Sequence, residues 1–117
     1  MHRYKDLKFW KESKDLSVEI YHLTARFPKE EKFGIVNQMR RASVSIPSNI
    51  AEGSTRNSNK DFSRFLDYSM GSAYELETQM EISKELGFLK QDDHTLISMK
   101  LNGIIKQMSK FRINCLS

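Results

Sequence analysis

Apolar residues in this chain recur in steps of three and four through four successive stretches, and strand-like alternation of useful length is absent. Such steps return a side chain to one face of an α-helix, whereas a half-buried strand needs a period of two. Phe9, Leu16, Ile20, Leu23 and Phe27 form the first stripe. Ile35, Met39, Ala42, Ile46 and Asn49 or Ile50 form the second. Phe62, Phe65, Ser69, Ala73, Leu76, Met80 and Ser83 form the third. Ile97, Leu101, Ile104, Met108 and Phe111 form the fourth, in the spacing of a bundle seam.

The spacing predicts helices over about 6–27, 32–53, 59–86 and 92–113. Asp6 is the expected N-cap of the first, and Phe27-Pro28 its end, because the residue before a proline avoids helical angles. Gly53 is the expected terminator of the second helix and Gly87 of the third. Ser58 followed by Asp61 reads as a capping box, and Asp92 or Asp93 is expected to cap the fourth helix. With 117 residues the chain has the size of one domain, 1–117. Four long helices with short connections predict an all-α fold, an antiparallel up-down-up-down four-helix bundle. No apolar run approaches the ~20 residues of a membrane span. No apolar stretch follows the N-terminal charges, so no secretory signal is expected. Cys115 is the one cysteine, which excludes a disulfide framework within a chain. The expected location is cytoplasmic.

The second stripe carries Pro47 in its middle. A proline in a helix interior removes one backbone hydrogen bond and costs roughly 3 kcal/mol. It also frees the carbonyl of Ser43, for which Ser43, Ser45 or water are the expected partners. Val36, Ser43, Pro47 and Ala51 form a row of mostly small residues beside the core stripe. Gly71 and Gly103 sit in the middle of the third and fourth helices. A helical glycine costs about 1 kcal/mol relative to alanine, and close helix approach is one compensation. Two explanations stand equally at this point: tight packing inside one bundle, or contact between the Val36–Ala51 row and a neighbouring subunit.

Catalytic spacing is mostly absent. The five glycines are far apart, so no phosphate-binding loop exists, and there is no nucleophile elbow. Glu19-Ile20-Tyr21-His22 has the Glu-x-x-His step of di-metal bundles, but the second step is missing, since Gln91 precedes His94 at that distance. No enzymatic activity, metal or cofactor is expected. The net charge is +4 with a pI near 9.2. From His94 onward the chain has Lys100, Lys106, Lys110 and Arg112 and no acid, whereas Asp67 to Glu85 is rich in acids. Candidate phosphate-binding residues are Arg40, Arg41, Arg56, Lys60 and Arg64. Lys60 and Arg64 are one turn apart, and Tyr68, one turn further, offers a ring on which a base can stack. Arg40 and Arg41 equally suit pairing with acids such as Glu52 or Glu75.

Several motifs resemble those of one family. Leu7-Lys8-Phe9-Trp10-Lys11, Phe27-Pro28-Lys29-Glu30-Glu31, the long stretch from Gln38 through Pro47 to Gly53, Phe62 to Leu66, and Gly71-Ser72-Ala73-Tyr74-Glu75-Leu76-Glu77 are all similar to signatures of the bacterial 23S ribosomal RNA intervening-sequence proteins. That family is related to the accessory variability determinant of diversity-generating retroelements. The resemblance covers nearly the whole chain. It implies an antiparallel four-helix bundle and a homopentameric ring with a basic surface around a central channel. It also implies work beside a nucleic-acid enzyme such as a reverse transcriptase, and it names no catalytic residue. The expected function is thus a non-enzymatic oligomer that binds RNA or DNA and serves as an adaptor, with no membrane partner. The alternative is a structural or protein-binding module whose basic residues serve subunit contacts.

Overall fold

The computed structural model of the protein describes residues 2–117. Among them are four α-helices: α1, Lys8–Thr24; α2, Ile35–Ser54; α3, Asn59–Glu85; and α4, Gln91–Leu116. Short 3-10 turns at Tyr4–Asp6 and Lys29–Glu31 precede α1 and α2. The molecule is elongated, 44 × 23 × 20 Å, which matches helices of this length lying side by side.

Contacts between neighbours run in opposite directions along each pair. Ser17 and Thr24 of α1 meet Ser43 and Arg40 of α2, in that order. Asp67 and Glu81 of α3 meet Arg112 and His94 of α4. Glu12 and Glu19 of α1 meet Gln107 and Lys100 of α4. Each adjacent pair is therefore antiparallel, as the four apolar stripes predict, and the stripes themselves form the core. Phe9, Leu16 and Ile20 pack with Met39, Ile46 and Ile50, and with Phe62, Leu76, Met80, Leu101, Ile104 and Met108.

The ends of the helices correct several expectations. Asp6 lies in the 3-10 turn and Leu7 holds the N-cap position of α1, with no side-chain cap. That helix ends at Thr24 rather than Phe27; the Ile20 carbonyl accepts from Thr24 Oγ1 at 2.7 Å and the Tyr21 carbonyl from Arg40 Nη2 at 3.2 Å. Lys90 holds the N-cap position of α4, so Asp92 and Asp93 lie in its first turn, where a carboxylate favours the positive helix end. Ser58 does cap α3, accepting from the Asp61 N–H at 3.1 Å. Gly87 closes α3 with φ +80, and the Phe88 N–H returns to the Ser83 carbonyl at 2.9 Å.

Gly53 is not a terminator. It is buried in the last turn of α2, where an added Cβ would come within 2.5 Å of the Phe65 Cβ and 2.9 Å of Phe62 Cδ1. Close helix approach occurs here, between α2 and α3. Gly71 and Gly103 correct the opposite way: a Cβ at either position meets nothing within 4 Å.

Pro47 has a specific compensation in a different helix. The Ser43 carbonyl, deprived of an N–H partner, accepts from Ser17 Oγ of α1 at 2.7 Å. Neither Ser43 nor Ser45 supplies that bond: Ser43 Oγ donates to the Arg40 carbonyl, and Ser45 Oγ bonds Ser72 on α3.

Candidate nucleic-acid interface

The α2–α3 connection places three of the five candidate cations at one end of the bundle. Arg56 follows α2 directly, and Lys60 and Arg64 occupy the first two turns of α3. Arg56 Nη2 donates to Glu52 Oε1 at 3.1 Å, and its guanidinium carbon lies 4.6 Å from the centre of the Phe65 ring. Arg64 is 3.4 Å from Asp61 Oδ1, and its guanidinium is 5.4 Å from the same ring. The buried Phe65 thus orders two guanidiniums through its negative π-face. Both arginines remain open to solvent and their ion pairs are exposed, so these pairs hold them only weakly. Lys60 is exposed and, among the described residues, has no ion-pair partner.

The other two candidates stand apart. Arg40 is committed within the fold. Its Nε donates to Thr24 Oγ1 at 2.9 Å, its Nη2 to the Tyr21 carbonyl at 3.2 Å, and its guanidinium stacks 4.6 Å from the Tyr21 ring. It caps the open carbonyl end of α1 and pairs with neither Glu52 nor Glu75. Arg41 is exposed on α2, about four turns before Arg56, and belongs to a different part of the surface.

Antiparallel topology adds cations that sequence spacing does not connect. The start of the chain and the end of α4 both reach the Arg56 end. The rings of His2, Phe62 and Phe111 meet there at 5.2–5.5 Å, with Phe9 5.3 Å from Phe111. The His2 N–H is bonded to the Ser54 carbonyl at 3.2 Å. Arg3, Lys5, Lys8 and Lys11 therefore share this end with Lys110 and Arg112, beside the acids Asp6 and Glu52, which pair with Arg3 and Arg56. Asp61 and Asp67 are engaged by Arg64 and Arg112, the latter through two bonds at 2.5 and 3.1 Å. The Asp67 carboxylate beside it, first by hydrogen bonding, raises the Arg112 pKa. At the opposite end Glu77, Glu81, Glu85, Asp92 and Asp93 are nearly balanced by Arg26, Lys29, Lys32, Lys84 and Lys90, with Arg26 paired to Asp93 and Lys84 to Glu81. The molecule is thus electrically polar along its length, a property of the topology rather than of any one run.

The small-residue row does not form an outer face. Val36, Ser43 and Pro47 are buried within the single chain and Ala51 is half-buried, so most of the row packs inside the bundle. The exposed apolar residues nearby are Val18, Tyr21 and Val44, which with Pro47 line a shallow groove between α1 and α2.

Glu19 accepts from Lys100 Nζ at 2.7 Å, and His22 is exposed on α1. Among the described residues no three metal-ligating side chains converge. No helix among them is long and apolar enough to cross a membrane.

A family model described as 23S rRNA-intervening sequence protein matches residues 5–110. A crystal structure of a protein with unknown function from the S23 ribosomal protein family of Bacteroides thetaiotaomicron superposes with a TM-score of 0.80 at 21% identity, covering 89% of this chain and 97% of that one. At that identity the likeness shows the shared fold. None of the curated proteins compared with the chain matches it.

Proposed function

The chain belongs to the 23S rRNA-intervening sequence protein family, and from that premise we propose that it is a non-enzymatic, cytoplasmic, oligomeric bundle that binds the phosphate backbone of RNA or DNA. The observation that carries this reading is the collection of cations at one bundle end. Lys60 is unpaired, and Arg56 and Arg64 lean on one aromatic ring. Cations so held neutralise phosphates without choosing a sequence, and release counterions as they do. The excess of cations at this end favours approach of a polyanion there.

Self-association is part of the same proposal. A single bundle offers a small patch, whereas a ring of copies, a homopentamer in the form the resemblance implies, multiplies it. Val18, Tyr21 and Val44 supply exposed apolar surface for such contact. A ring with a basic end can hold a nucleic acid beside an enzyme such as a reverse transcriptase, which is the adaptor role we propose.

The test is binding of a structured ribosomal RNA fragment and of a DNA duplex across a salt series. Binding that falls steeply with salt, and a slope that flattens on replacing Lys60 and Arg64 by glutamine, is the expected result. No binding at low salt would overturn phosphate recognition. Native mass measured on the same variants separates a binding defect from a lost assembly.

A further inference from the structure

Beyond the first turns of α3 the exposed surface changes from cations to tyrosines, Tyr68 and Tyr74, with a glycine between them in the chain. Tyr68 and Tyr74 are about half exposed, and Gly71 between them is open, with nothing within 4 Å of an added Cβ. Successive steps of three residues advance about 4.5 Å along a helix and turn about 60° around it. The two tyrosines therefore stand roughly 9 Å apart along the axis and about 120° apart around it, so they flank the bare stretch at Gly71 without facing each other, and Tyr68 alone continues the Lys60–Arg64 side.

Glycine in mid-helix is unfavourable, and nothing among the described residues uses the space it leaves. The notch is thus open to an outside group. Tyr68 is braced from behind by the Phe65 ring, 5.5 Å away and nearly perpendicular at 82°. That same ring carries the Arg56 and Arg64 guanidiniums, so the cations and the tyrosine are held by one buried anchor. Asp67, the acid closest in sequence to Tyr68, is engaged by Arg112. Past Tyr74 the face becomes acidic, with Glu75 and Glu77, which ends any track for a polyanion.

We propose that this face of α3 takes unpaired nucleotides. Lys60 and Arg64 hold consecutive phosphates, and a base unstacked from its neighbours lies on Tyr68, over the notch at Gly71. A duplex buries its base faces and offers none to Tyr68, so the preferred ligand class is single-stranded nucleic acid. This rests on the nucleic-acid reading above and narrows it.

The test is fluorescence anisotropy with one labelled oligonucleotide as single-stranded RNA, single-stranded DNA and duplex DNA, at one low salt concentration. The wild type should hold the single strands more tightly than the duplex, and the tighter single strand identifies RNA or DNA as the occupant. Tyr68→Ala should weaken single-strand binding about five-fold or more, leave duplex binding within two-fold, and be rescued by Tyr68→Phe, which keeps the ring. Gly71→Leu, which fills the notch at a site with no neighbours to disturb, should weaken the single strand alone. Circular dichroism would establish that each variant is folded. Failure to bind any of the three probes would overturn the nucleic-acid reading and this one with it. Binding of all three alike, unmoved by Tyr68→Ala and Gly71→Leu, would overturn the single-strand inference while leaving phosphate binding intact.

Discussion

Removing the Ser17 hydroxyl should cost far more than an ordinary serine-to-alanine change, and only because of a proline in another helix. In an unbroken helix the Ser43 carbonyl would accept from the N–H of residue 47; Pro47 has none. Ser17 Oγ donates to that carbonyl at 2.7 Å, and Ser43 is fully buried. Its second contact, 3.2 Å to the Ser13 carbonyl, is longer and reaches a group inside α1. Ser17→Ala therefore strands a buried carbonyl, at about 1–3 kcal/mol. Pro47→Ala restores the backbone donor, worth up to roughly 3 kcal/mol by helix propensity, and loses two ring methylenes at about 0.8 kcal/mol each. In the Pro47→Ala background the Ser17 hydroxyl is redundant, so its removal should cost well under 1 kcal/mol. The coupling between the two sites is then about 1–2 kcal/mol, well outside the few tenths expected of independent positions. Urea unfolding followed by circular dichroism gives all four stabilities, at one protomer concentration because any assembly shifts the apparent value. Equal cost of Ser17→Ala in both backgrounds would refute the idea that Ser17 compensates the proline.

Three further expectations follow from other parts of the fold. Gly53→Ala should destabilise by about 1–2 kcal/mol, an overpacking penalty partly offset by helix propensity, whereas Gly103→Ala, with nothing within 4 Å, should stabilise by up to about 1 kcal/mol; the same sign for both in urea unfolding would contradict the packing described. Arg40→Ala should lower stability by about 1–2 kcal/mol, through its lost bonds to Thr24 and Tyr21, and leave nucleic-acid affinity within a few-fold; an affinity loss in a fully folded variant would move Arg40 into the interface. The Glu81 carboxyl should titrate below the ordinary value of 4.5, chiefly through its hydrogen bond from Lys84 and despite some desolvation, with Lys84 and His94 charge adding to the effect. Because the folded-state pKa is the lower one, its contribution to stability is present above the unfolded value and disappears as pH falls through the folded one. A carboxyl NMR titration checks this, and an unchanged Glu81 value in Lys84→Ala would rule out the assigned cause.

The helices and the core were legible in the chain because both follow from local periodicity. Every apolar residue of the first stripe is buried, and so are Met39, Ala42, Ile46, Ile50 and the whole third stripe. The Ser58 cap and the Gly87 terminator were legible for the same reason: each acts within a few residues of itself. Gly53 was misread because a glycine after a helical stripe signals a terminator locally, and only the Phe62 and Phe65 side chains of the next helix show it to be a contact point. Arg40 reads in the chain as a partner for phosphate or for an acid such as Glu52 or Glu75, because Thr24 and the Tyr21 carbonyl, its actual partners, lie in another helix.

By itself the sequence determined that four amphipathic helices must bury one shared set of stripes, since helical spacing and short connections allow little else. Tertiary structure decided what the remaining side chains do. It turned the Val36–Pro47 row inward, gave the Ser43 carbonyl its partner in α1, left Gly71 open between two tyrosines, and brought the cations of three distant segments to one end. The physical reason is range: helix formation is settled over a few residues, whereas charge, cavity and hydrogen-bond partnership are settled by which antiparallel neighbours the packed helices place side by side.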